Sequence, residues 1–212
     1  MPTPPEGITV CADGVRRCWW GAEPAIYQEY HDNEWGMPVT DDFRLFEKIC
    51  LEGFQSGLSW LIILRKRERF REIFAGFDFQ RVSRFGPKQV EKLVADAGII
   101  RHRGKIESTI NNAKRALEMC AEFGTLAAYF RQYEPPASSR PRKFTKAALA
   151  AMSTSPESAA MSKDLRKRGW SFVGPTTCYA FMQATGLVND HLDGCPARAR
   201  VEQARAARPP AS

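Results

Sequence analysis

The sequence predicts an all-α fold. Three observations carry the prediction: apolar residues recur at three- and four-residue spacing along most of the chain, helix-start and helix-stop residues bracket those stretches, and alternating strand patterns are nearly absent. The first helix is DDFRLFEKICLEGF. It sets Phe43, Phe46, Ile49, Cys50 and Phe54 on one stripe, and Asp41 or Asp42 can cap its open N–H groups. SWLIILRKRERFREIF follows, with Ser59 as a cap and solidly apolar first turns. PKQVEKLVADAG starts with Pro87, carries Val90, Leu93, Val94 and Ala97 on one face, and stops at Gly98. KIESTINNAKRALEMC repeats Ile106, Ile110, Ala113, Leu117 and Cys120. PTTCYAFMQATG runs from Pro175 to Gly186. Between the last two lies YEPPASSRPRKFTKAALAAMSTSPES, whose prolines and serines predict a long surface connection with one short helix over Lys146 to Met152.

The remaining organisation is simple. Residues 1–14 hold three prolines and little periodicity, so they are expected to be a flexible arm. Residues 15–196 form one helical domain. Residues 197–212, rich in Ala and Arg, are expected to be a mobile tail, with a short basic helix as the alternative. A chain of 212 residues can bury a sizeable core. The start MPTPPEGITV lacks a basic segment followed by an apolar one, and six irregularly spaced cysteines fit a reduced compartment, so a cytoplasmic protein is expected. No apolar run is long enough to span a bilayer. The formal charge of +7 permits a polyanionic partner without requiring one.

Three groups of residues carry candidate chemistry. Near the C-terminus DHLDGC places His191 four residues before Cys195, half of a metal site. Cys18 and His31, in RRCWWGAEPAIYQEYH, supply a matching half. Cys2His2 suits zinc, and four protein ligands leave no position for water, so such a site would be structural and would tie the N- and C-terminal segments together. The alternative is an unrelated His–Cys pair at a helix end. The second group is the turn in LVADAGIIRHRGKIEST. Gly98, Ile99, Arg101, His102, Arg103, Gly104 and Lys105 join two helices through a short, basic, glycine-bounded hairpin. Backbone N–H groups there can hold DNA phosphates without reading sequence; an ordinary solvated αα-turn is the alternative. The third group is aromatic. Trp19, Trp20, Tyr27, Tyr30 and Trp35 crowd one segment, Trp60 follows, and Glu52 lies among apolar residues shortly before it. Rings and a carboxylate can hold a flat cationic ligand by stacking and by accepting its N–H bonds. Core packing of the rings and a partly exposed Glu52 are the alternatives.

The strings RCWW, YQEYHDNEWGMP, LFEKICLEGFQSGLSW, DAGIIRHRGKI and LRKRGWSFVGPTTCYAFMQATGLVNDH resemble the bacterial 3-methyladenine DNA glycosylase I family, within the helix–hairpin–helix DNA glycosylase superfamily. The resemblance runs from about Arg17 to Cys195. It implies a monofunctional enzyme that extrudes and hydrolytically removes N3-methyladenine from double-stranded alkylated DNA, with the free base as product ligand, acting as a monomer. It implies one structural zinc per chain on Cys18, His31, His191 and Cys195. It places the base pocket on Trp20, Tyr30, Glu52 and Trp60, supported by Tyr27 and Trp35, with Glu52 as the candidate catalytic residue. Gly57 and Leu58 match the loop that fills the gap left by the extruded base. One departure stands out: Trp19 takes the place of the small residue or Pro expected between Cys18 and Trp20. Two other classes stay open on the residues alone. A hairpin DNA-binding protein that senses damage would release no base, and a hydrolytic zinc enzyme would need an open metal position.

Overall fold

A computed structural model describes residues 3–208. The helices follow the apolar periodicity. α1 spans Ala25–Asn33, α2 Asp42–Gln55, α3 Trp60–Ile73, α4 Phe79–Val82, α5 Pro87–Ala95 and α6 Arg103–Phe123. After them come α7 Leu126–Arg131, α8 Lys146–Ala150, α9 Pro156–Lys167, α10 Pro175–Ala184 and α11 Pro196–Ala206. Asp41 caps α2 by accepting the Arg44 N–H at 2.8 Å. Ser155 and Ser158 form a capping box on α9. Pro opens α5, α9, α10 and α11, where its missing N–H removes no helix bond.

Helix α2 is the axis of the core. Leu45, Phe46, Ile49, Cys50, Leu51 and Phe54 are all buried on it. Phe54 meets Phe70 of α3 at 4.6 Å between ring centres, and Phe70, Phe74 and Phe77 continue the aromatic layer. Helix α10 packs on α9 and α2, and α4 and α5 pack on α6. A smaller cluster of Ile8, Cys18, Leu192, Cys195 and Ala197 joins the two ends of the chain.

Three expectations are corrected. The fold is helical except for one antiparallel pair, β1 Ile8–Val10 with β2 Arg16–Cys18. Three-residue strands are too short to show an alternating pattern. The segment expected to be a flexible arm therefore contains a paired strand, in which Ile8 is buried; residues 1–2 lie outside the described residues. The segment expected to be a mobile tail forms α11, docked through buried Val201 and through Arg205 and Arg208 on Glu134; residues 209–212 lie outside the described residues. No described helix is long and apolar enough to cross a membrane.

Candidate active site

The six expected pocket residues come together. Trp20, Tyr27, Tyr30, Trp35, Glu52 and Trp60 line one cavity of about 320 Å³. The loop before α1, α1 itself, α2 and the start of α3 each supply part of the wall. Trp20 is the hub: its ring centre lies 6.0 Å from Tyr27, 6.5 Å from Tyr30 and 4.7 Å from Trp35. Tyr30 in turn lies 5.4 Å from Trp60. Edge and tilted packing of this kind holds rings rigidly while leaving faces for a ligand.

Glu52 is 6% exposed, and no side chain among the described residues bonds to it. Burial pushes its carboxyl up to about 8, and Lys48, one turn earlier on α2, opposes that through space. The indole N–H of Trp60 is also buried without a partner. An apolar cage with an unpaired acceptor and an unpaired donor is built to receive a polar, flat guest. Behind the cage, Arg67 donates to both oxygens of Glu34 at 2.8 Å, and Lys48 lies 3.9 Å from Glu34 and 5.6 Å from the Tyr30 ring centre. Burial brings the Lys48 amine down to about 8, with Glu34 opposing. Burial also raises the Tyr30 phenol well above its ordinary value, with Glu52 adding to the rise.

Sequence reasoning missed part of this wall. Asp190, Gln183 and Gln55 also line the cavity, with Leu149 and Ala150 of α8 at one side. Asp190 is 2% exposed and is held by Arg140, by Tyr179 at 2.8 Å and by Gln183 at 2.8 Å. Its one visible signal is a carboxylate ending the apolar run TGLVND. Lys48 gave a similar signal, a charge inside the apolar stripe of α2. Trp19 lines the same cavity and is 41% exposed, with the Lys146 ammonium 5.4 Å from its ring centre.

The candidate metal residues are brought together in part. Ligand atoms of Cys18, His31 and Cys195 lie within 4.8 Å of one another. Gly21 makes this possible, since a Cβ there would sit 2.5 Å from the His31 ring. Asp32 holds His31 Nδ1 at 2.8 Å and is itself gripped by Arg17, leaving Nε2 for the cluster. The Cys195 thiol is held below its ordinary value, first by a hydrogen bond from Cys18 and then by His31; the Cys18 thiol is pushed up by the same bond. His191 is not within the three-residue cluster. Its Nδ1 sits 3.0 Å from Asn189 Oδ1 and its Nε2 3.4 Å from the His31 carbonyl, although its ring lies 4.9 Å from that of His31. The cluster and the pocket share a wall: Trp20 packs on His31 and Trp35 on His191.

The hairpin residues divide. The turn between α5 and α6 is fixed by Asp96, which accepts the Gly98 N–H at 2.7 Å and two bonds from Arg69 of α3. Arg101 and Arg103 are exposed, and Arg103 pairs with Glu91 at 2.8 Å. Gly104 is half-buried at the first turn of α6. Three residues expected to contact DNA do something else with their side chains. Ile99 is 3% exposed and belongs to the core. His102 caps α6, its Nδ1 accepting the Lys105 N–H at 3.1 Å. Lys105 turns inward and donates to the carbonyls of Phe54 at 2.8 Å and Ser56 at 2.6 Å. Those carbonyls end α2 and have no helical partner, so they take the ammonium that was expected to meet phosphate. The loop they open carries Gly57, with φ +79°, and Leu58, which is exposed.

Comparison with known proteins adds four findings. Residues 19–199 match a family model described as methyladenine glycosylase. The chain is 47% identical over 182 residues to DNA-3-methyladenine glycosylase 1 of Escherichia coli, covering 85% of this chain and 96% of that one. Among solved structures, a 3-methyladenine DNA glycosylase I superposes with TM-score 0.78 at 46% identity, covering 85% of this chain and 98% of the other. The 3-methyladenine DNA glycosylase I of Staphylococcus aureus, in a structure on 3-methyladenine recognition, gives 0.75 at 30% identity, covering 91% and 97%.

Proposed function

The chain belongs to the methyladenine glycosylase family, and from that premise we propose that its aromatic pocket takes an N3-methyladenine turned out of alkylated DNA and releases it by hydrolysis. The observation that carries the reading is Glu52: a buried, unpaired carboxylate inside a cage of Trp20, Tyr30, Trp35 and Trp60. N3-methylation makes adenine cationic, which strengthens both the N–H donors of its exocyclic amino group and the stacking of its ring faces. The cage stacks the faces, and Glu52 accepts the N–H bonds. A cation in the pocket also favours the charged form of Glu52, offsetting the burial that raises its pKa. A neutral base in DNA can stack and bond but lacks the charge that favours ionised Glu52, which gives discrimination without a base-reading code.

In the reaction, the oxygen of a water bonds to C1′ of the sugar as the bond from C1′ to the base breaks. The bonding electrons leave with the base, which departs neutral, and the water gives up its proton to solvent. The leaving group needs no acid. The residues supply position and charge: the rings fix the base, and Glu52 faces the cation in the ground state and the developing charge in the transition state. Leu58 fills the space left in the stack, and the backbone of the turn from Gly98 to Gly104 holds the strand, with Arg101 beside it. No lysine lies among the pocket-lining residues, which supports a monofunctional enzyme without lyase chemistry.

The Cys18, His31 and Cys195 donors fit a zinc ion, and His191, whose ring nitrogens lie on Asn189 and the His31 carbonyl, would have to turn toward them to serve as the fourth. Two thiols, one already held low, and a histidine set by a carboxylate form a donor set suited to that metal. The ion would supply a cross-link between the ends of the chain, next to the pocket wall, and no chemistry on the substrate.

Incubation with methylated duplex DNA, followed by chromatography of the released bases, tests the function directly. Free 3-methyladenine is the expected product. Tight binding without release would make the protein a damage sensor. Glu52→Gln tests the pocket: one acceptor oxygen becomes a donor, and loss of a charge-assisted bond should weaken free 3-methyladenine binding by about ten- to a hundredfold. A much larger fall in excision than in base affinity would make Glu52 a transition-state group.

A further inference from the structure

Phe172 is an exposed aromatic residue in a strained conformation. It lies in the loop between α9 and α10 with φ +56°, in the left-handed region that residues with a side chain rarely adopt. The residue is 37% exposed, close to the 38% of Leu58. The strain is unfavourable to folding, and more than a third of the residue still stays exposed to water. Strain of this kind persists where the surroundings enforce it for a use.

The surroundings do enforce it. Asn112 of α6 grips the neighbouring Ser171 from both sides, donating to its carbonyl and accepting its N–H, each at 3.0 Å. Ser108 bonds the Ser171 hydroxyl at 2.6 Å, and Asn111 donates to the Gly169 carbonyl at 2.8 Å. All three side chains stand on the helix that begins at the hairpin. On its other side the Phe172 ring packs edge-on against His102, 6.1 Å between centres. The loop also lies against the end of α2, where a Cβ on Gly53 would approach Phe172 to 3.3 Å. The same end of α2 opens the loop that presents Leu58, and Lys105 ties that loop to α6. A rigidly held, water-exposed ring therefore stands where the hairpin turn and the Leu58 loop converge.

We propose that Phe172 is a second duplex-contacting wedge, its ring stacking on a base beside the extruded nucleotide while Leu58 fills the vacated position. This rests on the reading of the protein as a DNA glycosylase and goes beyond it by naming a contact outside the pocket. Every base offers a π face, so such a contact is indifferent to sequence and suits an enzyme that must search for damage anywhere. Duplex DNA is favoured over a protein partner because the ring is continuous with the hairpin and the Leu58 loop, both of which face the same substrate.

The test is Phe172→Gly, which removes the ring and also accepts the positive φ, so the fold is retained. Phe172→Trp keeps a stacking face. Affinity is measured for a duplex carrying a stable abasic-site analogue, and separately for free 3-methyladenine. Phe172→Gly should lose about tenfold or more in duplex affinity, with melting temperature and free-base affinity unchanged. Its excision should fall on methylated duplex more than on methylated single strand, and Phe172→Trp should restore both. Unchanged duplex affinity in Phe172→Gly would overturn the proposal. So would equal losses for duplex and free base, which would mark a packing role. If the unsubstituted protein releases no 3-methyladenine from duplex, the glycosylase premise itself fails, whatever the variants do.

Discussion

Replacing Glu52 by Gln should make the protein more stable as well as less active, and the gain should depend on pH. The carboxyl lies at about 8 in the folded chain against an ordinary 4.5, because burial disfavours its charge. A carboxyl raised on folding contributes stability that is fully present below about 4.5 and is lost as pH rises through about 8. At about 1.4 kcal/mol per pH unit, the loss integrates to on the order of 3 kcal/mol at pH 7. Gln has the same shape and no charge to bury, so Glu52→Gln escapes the loss. For a chain of this size about 3 kcal/mol corresponds to a rise in melting temperature of about 6–12 °C. Lys48 forfeits one attractive neighbour in the variant but keeps Glu34 at 3.9 Å, so the gain is reduced and not reversed. Thermal melts at pH 5 and pH 8 measure it. The variant should melt well above the parent at pH 8, with the gap nearly closed at pH 5. A variant melting at or below the parent at pH 8 would refute the claim that Glu52 is an unpaired buried charge, and with it the stability–activity trade-off at this site.

Other expectations follow from the same geometry. Elemental analysis of the parent should find one zinc per chain, and Cys195→Ala should lose it, with a fall of about several kcal/mol in stability; metal-free parent protein would remove the metal assignment. Gly104→Asp should weaken duplex binding about three- to tenfold by repelling phosphate, with only a small change in stability, since an acid in the first turn of α6 suits the helix dipole while its Cβ would press the capping His102 ring at 3.2 Å; loss of free 3-methyladenine binding as well would point to misfolding. Lys48→Met removes the cation that holds Glu52 down, so Glu52 should ionise at higher pH. The kcat/KM for methylated DNA should then fall about three- to tenfold at pH 7 and recover by pH 9, with Lys48→Arg close to the parent; identical pH profiles would show that Lys48 does not act on Glu52.

What the sequence disclosed follows the range of the forces involved. Helix α2 was legible because its cap and its apolar stripe are local. The Cys and His residues were legible as a set because their chemistry is rare, yet the placing of His191 depends on Asn189 and on the His31 carbonyl, which spacing does not encode. Lys105 shows the limit most clearly. Its neighbours in sequence are basic and solvated, which suggests phosphate, but its amine finds two unpaired carbonyls 51 and 49 residues away. Asp190 and Gln183 reach the pocket from the far end of the chain, so only the closed fold reveals them. The strand pair and the docking of α11 were hidden for a related reason: three residues show no period, and an Arg-rich helix shows no apolar face until Glu134 meets it.

The pocket borrows its walls from segments far apart in the chain. Trp20 and His31 stand before α2, while Asp190, His191 and Cys195 stand after α10. The cavity is therefore complete only while these two segments lie closed against each other. Fraying of either would open the place for a base while the core around α2 stays packed, so on heating the loss of function should precede the loss of fold.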